Sequence, residues 1–505
     1  MTDRAYRMWV GSATLVGLAV RLLYAFAVKV GDVWRGDAYY YHYQAKFLTE
    51  GWWFVNPDAL KNPRVPRVEL YSAQHPPLFT LFLALSDELG FRRMGAQKAL
   101  LCIVGALTVV LVAVLAREMA GKTAGVLAAV IASLYPGFWV YDGEVMSEAL
   151  LMLLTAATLL VAYRCWREPS VRRLVLVGAG SALTALTRSE MILLVPLLAV
   201  PLAWRWRDFA GSRGGSLRPS AAGSPAPYGP SFTAPSRRSR AMFRRVLAHS
   251  RSFVLVLGAA ALVLLPWTVR NLVTFEHPVL LSDQFDITLA AANNSTTYAN
   301  GPLFGSWCYP CVHDIKDPVA DESVQAVFWK QLARQYVEHH LGRVPAVVAA
   351  RVGLTWDLWA PVMQAQQNRV QGWPEPVSAA WLWWYYALLV ASVAGAIVLR
   401  RRKVPIYPLM ALAAIVTLAS IVTYGNIRFR SEAEVALVVL ASVAVATVVD
   451  SRILGTRSAA RALRIENQRD DGTTCATAGE VPPSAATSSS GTGLPSSSGT
   501  AASHL

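Results

Sequence analysis

HPPLFTLFLALSDEL, residues 75–89, decides the topology of this chain. It is apolar but only about 15 residues long. A helix of that length rises about 22 Å, short of a hydrocarbon core of about 30 Å. Counted as a span, it would put Arg117 and Lys122 outside and the acidic turn at Asp142 inside. Read as a re-entrant or surface-lying helix, it leaves every basic connection on one side, as the positive-inside bias requires. We take the second reading.

Outward from there, about ten apolar segments alternate across the membrane, near residues 9–29, 96–116, 122–140, 145–165, 173–188, 190–204, 252–268, 380–399, 404–423 and 433–449. The fold class expected is an all-α polytopic membrane bundle, with juxtamembrane helices and a large extracytoplasmic loop. The first run, Trp9 to Val28, reads as a signal anchor with Arg4 and Arg7 inside; no small-residue cleavage site follows it. The expected divisions are an N-terminal transmembrane half, 1–206, with an external loop 30–94; a disordered basic linker, 207–250; a C-terminal transmembrane part, 251–450, with an external loop 271–377; and a disordered tail, 451–505.

Composition agrees. Hydrophobic residues make up 54% of the 505 and charged residues 16%, where a soluble domain carries about a quarter charged. The formal net charge of +15 sits in short connections, the linker and helix ends. Sidedness explains it without nucleic acid, and no basic–aromatic module is present.

On this topology Asp37, His75, Asp142, Glu148, Arg270, Arg428 and Arg430 fall at the extracytoplasmic face. Asp37 opens GDAYYYHYQAKFL, 36–48, where a carboxylate serves either as a helix cap or as a general base. His75 precedes Pro76 and Pro77, a strong helix start, so it lies at the positive end of a helix or simply in its entry turn. YPGFWVYDGEVMSEALL, 135–151, offers Asp142, Glu144 and Glu148. Glu148 lies deepest in apolar sequence, where an ionisable group is costly unless paired or facing a cavity. Arg270 follows PWTV, and Arg428 and Arg430 stand two apart in GNIRFRSEAE, on the same side of an extended strand. External arginines run against the charge bias; they bind phosphate as forks or pair with Glu432, Glu434 or lipid headgroups. Arg188 and Glu190 read as a structural ion pair. Cys308 and Cys311 form CYPC in the large loop, compatible with a disulfide or with two thiols. No metal site has clear ligand spacing.

Taken together, the acid after the first span, HPPLFTLFLAL, YPGFWVYDGEVMSEALL, LTALTRSE (183–190), PWTVRN (266–271) and YGNIRFRSEAE (424–434) resemble, in order, the GT-C superfamily of membrane glycosyltransferases. The likeness is to family-39-like bacterial enzymes related to protein O-mannosyltransferases and aminoarabinose transferases. The resemblance implies a helical bundle, a polyprenyl-phosphate-linked sugar donor and transfer on the outer face, usually with inversion. It implies a protein, lipid or polysaccharide acceptor and a home in the bacterial inner membrane. Asp37 matches the presumed catalytic base. Asp142, Glu144 and Glu148 compete for a second functional carboxylate, and His75 matches a position near the donor phosphate. Arg270, Arg428 and Arg430 would stabilise the charge on the departing phosphate. The family leaves a divalent metal open. The alternatives are a lipid-linked-glycan flippase or small-solute transporter, or an inactive scaffold with the same fold.

Overall fold

Helices form where the apolar segments were expected. The computed structural model describes residues 1–29, 36–61, 67–213, 237–316, 318–370 and 372–474. Around the first loop stand α1 (Asp3–Leu23), continued by a π-helical turn Tyr24–Val28, then α2 (Asp37–Thr49) and α3 (Pro77–Glu88). The first half continues with α4 (Met94–Ala120), α5 (Lys122–Leu134), α6 (Glu148–Arg167), α7 (Val171–Ala185) and α8 (Leu194–Arg213). After α9 (Arg237–Thr274), the large loop carries α10 (Gln284–Ala292), α11 (Glu322–His339) and α12 (Val344–Thr355). The chain returns through α13 (Glu375–Arg401), α14 (Tyr407–Val422) and α15 (Ser431–Thr474). The compact unit is Met1–Val448; Val449–Leu505 is a second unit, helical as far as Thr474.

Among the described residues, six helices are long and apolar enough to cross a membrane, and Lys122–Leu134 and Tyr407–Val422 are shorter apolar helices. The protein is a multi-pass, all-helical membrane protein. The figure of about ten spans is not matched by helix length: α7 and α8 fall outside both groups. α3 spans 12 residues and is not one of the six, as its short apolar run required.

Helix extends into two stretches expected to be disordered. α8 continues to Arg213 and α9 begins at Arg237, so the flanks of the 207–250 linker are helical, and 214–236 lies outside the described residues. α15 runs on to Thr474, past the expected start of the tail at 451. The reason is local: RSAARALRIENQRDD, 457–471, is rich in Ala, Arg, Leu and Glu, which favour helix. Residues 475–505 lie outside the described residues.

Small residues line the buried face of α5. Ala124, Ala128, Ala129 and Ala132 of α5 are fully buried. This is the small-residue packing by which membrane helices associate. Burial ranks the spans: 72% of the apolar window of Ile427–Arg452 lies inside the protein, against 22% for Ser252–Thr274. The last span is therefore central and the α9 span peripheral.

The basic turns gather at one end. Asp3 takes Arg117 at 2.9 Å and Lys122 at 3.2 Å, and Glu118 takes Arg164 and Arg167. The Tyr163 hydroxyl donates to the Pro405 carbonyl at 2.8 Å, which joins the α13–α14 turn to the same end.

Candidate active site

At the other end, loops from distant parts of the chain meet. Asp37 stands in the first turn of α2, where the helix N-terminus favours a carboxylate. Gly36 before it has φ +74°, a conformation that suits glycine. His75 sits at the head of α3 with its ring 4.6 Å from Tyr41 and 5.0 Å from Tyr40. The large loop fixes this segment. Asp283 N donates to Ala73 O at 3.2 Å, Ala73 N donates to Glu322 Oε2 at 2.8 Å, and Ser282 Oγ donates to Gln74 O.

Asp37, His75, Arg188, Glu190, Tyr424 and Arg428 line one cavity, with Ser282 and Gln284 from the large loop on its wall. Arg428 is the hub. One of its terminal nitrogens donates to Asp37 Oδ2 at 2.8 Å, and its Nε donates to Glu148 Oε1 at 3.1 Å. Arg188 donates to the same Glu148 oxygen at 3.0 Å and to Glu190 at 2.8 Å, and stands 3.8 Å from Glu432. Glu148 is fully buried and bridges the two guanidinium groups. His75 Nε2 lies 3.7 Å from Asp37 Oδ1 and has no hydrogen-bond partner.

Burial pushes the Asp37 carboxyl up, but Arg428, His75 and Arg188 outweigh it and hold the group at about 2. Burial pushes the His75 imidazole down to about 4, with Arg428 and Arg188 adding to the effect and Asp37 opposing it. At neutral pH the site therefore presents a charged carboxylate, a neutral imidazole and two guanidinium groups.

Four residues weighed for the site lie elsewhere. Arg430 is fully buried, donating to Glu434 and Asp357 at 2.8 Å each and facing the Tyr385 ring at 3.5 Å. Residues 427–430 form a 3₁₀ turn rather than an extended strand, so positions two apart point about 120° away from one another. Arg270 donates to the carbonyls of Ser72 and Phe54, both at 3.1 Å, and packs among Phe54, Trp267 and Phe275. It pins the first loop and does not line the cavity. Asp142 forms a fully buried pair with Arg21 of α1 at 2.7 Å, an internal lock away from the cavity. Glu144 is likewise taken, by Lys29 and by Trp373 Nε1 at 2.6 Å.

Arg188 is more than the structural ion pair expected: it pairs with Glu190 and also faces the cavity. Arg21, the partner of Asp142, lies inside the first span, where an arginine is itself a signal. Cys308 and Cys311 are disulfide-bonded. Among the described residues no three His, Cys, Asp or Glu side chains gather as metal ligands.

Residues 74–214, which carry His75, Glu148 and Arg188, match the family described as dolichyl-phosphate-mannose-protein mannosyltransferase. The likeness to protein O-mannosyltransferases is borne out over this stretch, which covers α3 to α8 and part of the cavity wall. No curated protein matches the chain. Among solved structures, the Archaeoglobus fulgidus oligosaccharyltransferase tethered to an acceptor peptide is 14% identical, over 89% of this chain and 50% of that one, with a TM-score of 0.46. The Saccharomyces cerevisiae protein O-mannosyltransferase Pmt1–Pmt2 complex bound to its sugar donor is 15% identical, over 58% and 38%, at 0.38. ArnT from Cupriavidus metallidurans bound to undecaprenyl phosphate is 14% identical, over 88% and 79%, at 0.35. This chain thus spans about half the length of the archaeal enzyme. All three TM-scores lie below 0.5, too low to establish a shared fold.

Proposed function

We propose that this protein transfers a sugar from a polyprenyl-phosphate-linked donor to an acceptor, with inversion, at the membrane face opposite its basic turns. One observation carries the reading. Asp37, His75, Arg188 and Arg428 converge on a single cavity, and Glu148 ties the two arginines together. The family match over 74–214 supports it.

The chemistry follows from the groups. An acceptor hydroxyl or amine attacks the anomeric carbon while Asp37 takes its proton. The bond from that carbon to the phosphate oxygen breaks, and its electron pair leaves with the lipid phosphate. Arg428 and Arg188 stabilise the new charge, and neutral His75 donates a hydrogen bond through Nε2. A phosphate seated on Arg428 draws that cation away from Asp37, and the carboxylate then recovers basicity. Glu148 keeps both guanidinium groups oriented throughout. The positive-inside bias assigns the basic end to the cytoplasm, so the cavity opens to the extracytoplasmic side of a bacterial inner membrane. The disulfide at Cys308–Cys311 suits that oxidising compartment.

The test uses the purified protein in lipid with radiolabelled polyprenyl-phosphate sugars and a cell-envelope extract. Label moving to an acceptor supports the reading. Intact donor crossing the bilayer without transfer would replace it with transport, and neither event would leave an inactive scaffold.

A further inference from the structure

A second cavity, of about 320 Å³, opens at the basic end of the bundle. Glu118 of α4, Trp166 and Arg167 of α6, Arg205 of α8, and Lys403 and Pro405 of the α13–α14 turn line it. Most basic residues at this end have an ordinary explanation. Arg164, Arg167, Arg400 and Arg401 sit in the last turns of α6 and α13, where cations complement exposed carbonyls. Arg205 and Lys403 do not fit it. Arg205 lies within α8, not in its last turn. Lys403 lies beyond α13 with φ +58°, a left-handed backbone that a lysine adopts at a cost.

The charges do not balance. Glu118 is the one carboxylate among the described residues that line it, and both its oxygens are used, Oε1 by Arg164 and Oε2 by Arg167. Arg205 donates through Nε to the Trp166 carbonyl at 3.2 Å, with its guanidinium over the Trp166 ring. Its terminal nitrogens have no partner among the described residues, and neither does the Lys403 ammonium. These two cations thus face a pocket whose apolar walls are Met119, Tyr163, the Trp166 ring, Val404 and Pro405, beside the Glu118–Arg167 pair.

We propose that this cavity binds the phosphate headgroup of an anionic phospholipid from the leaflet at the basic end. Arg205 and Lys403 would take the phosphate oxygens, and the apolar walls would take the glycerol and first methylenes. Basic pockets between membrane helices recognise anionic lipids in this way. The site lies at the opposite end from the Asp37 cavity and is independent of the transfer reaction.

Native mass spectrometry of the full chain in detergent tests it, with phosphatidylglycerol, phosphatidylcholine and inorganic phosphate as separate probes. Phosphatidylglycerol should be retained in preference to phosphatidylcholine. Arg205→Gln and Lys403→Gln should each weaken its binding about tenfold, the loss of one charge-assisted contact. Arg401→Gln removes the same charge at an exposed neighbour and should weaken it less than about twofold. Lys403→Gly relieves the left-handed backbone, so it should stay folded and still lose the lipid. Equal losses in Arg401→Gln, or equal retention of phosphatidylcholine, would overturn the proposal. So would stabilisation by inorganic phosphate with no lipid retained, which would mark a free-anion site.

Discussion

Arg428 holds Asp37 at 2.8 Å, although 391 residues separate them in sequence. The contact joins the first loop to the last span across the cavity, and it sets the charge state of the carboxylate.

The two arginines of GNIRFRSEAE should behave differently. Arg428→Ala removes a cation from the cavity, and the affinity for polyprenyl phosphate should fall by about tenfold or more. Arg430→Ala strands Asp357 and Glu434 inside the protein and should instead cost about 3–5 kcal/mol of stability. Lipid-phosphate binding and thermal unfolding of each variant separate the two effects.

Acid should destabilise the protein through His75. Folding depresses its imidazole from 6.5 to about 4, so the unfolded chain binds more protons between those values. The stability that His75 contributes therefore rises with pH across that window and is fully present above about 6.5, by up to about 3 kcal/mol. Asp37, depressed from 3.8 to about 2, adds a second loss only below about pH 4. From pH 4 to 6.5 the unfolding midpoint of the wild type should gain on that of His75→Gln.

The Arg21–Asp142 pair should be a structural lock. Arg21→Leu leaves a buried carboxylate and should cost about 3–5 kcal/mol, whereas Arg21→Leu with Asp142→Leu should recover much of it. Gly105→Ala should destabilise as well, because a Cβ there overlaps the Asp142 carboxylate and sits 2.6 Å from Arg21 Nε. Chemical denaturation of the three variants checks both.

Periodicity and charge bias exposed the helices and the separation of acids and arginines from the basic turns, because burial and sidedness act residue by residue along the chain. Pairings were harder to read. Arg428 and Arg430 look equivalent until the 3₁₀ turn points them apart. Arg188 reads as a hairpin ion pair until Glu148, 40 residues away, binds it too. Arg270 reads as an outward-facing cation, but its partners are backbone carbonyls, which no side-chain pattern reveals. Asp142 and Glu148 both read as acids near one turn, and only Glu148 reaches the cavity arginines.

The account stands most directly on the transfer rate of Asp37→Asn, measured with a radiolabelled polyprenyl-phosphate sugar. Transfer should fall by about 10² to 10⁴, with donor still bound and the protein still folded at neutral pH. A folded Asp37→Asn protein that transfers sugar at the wild-type rate would contradict it.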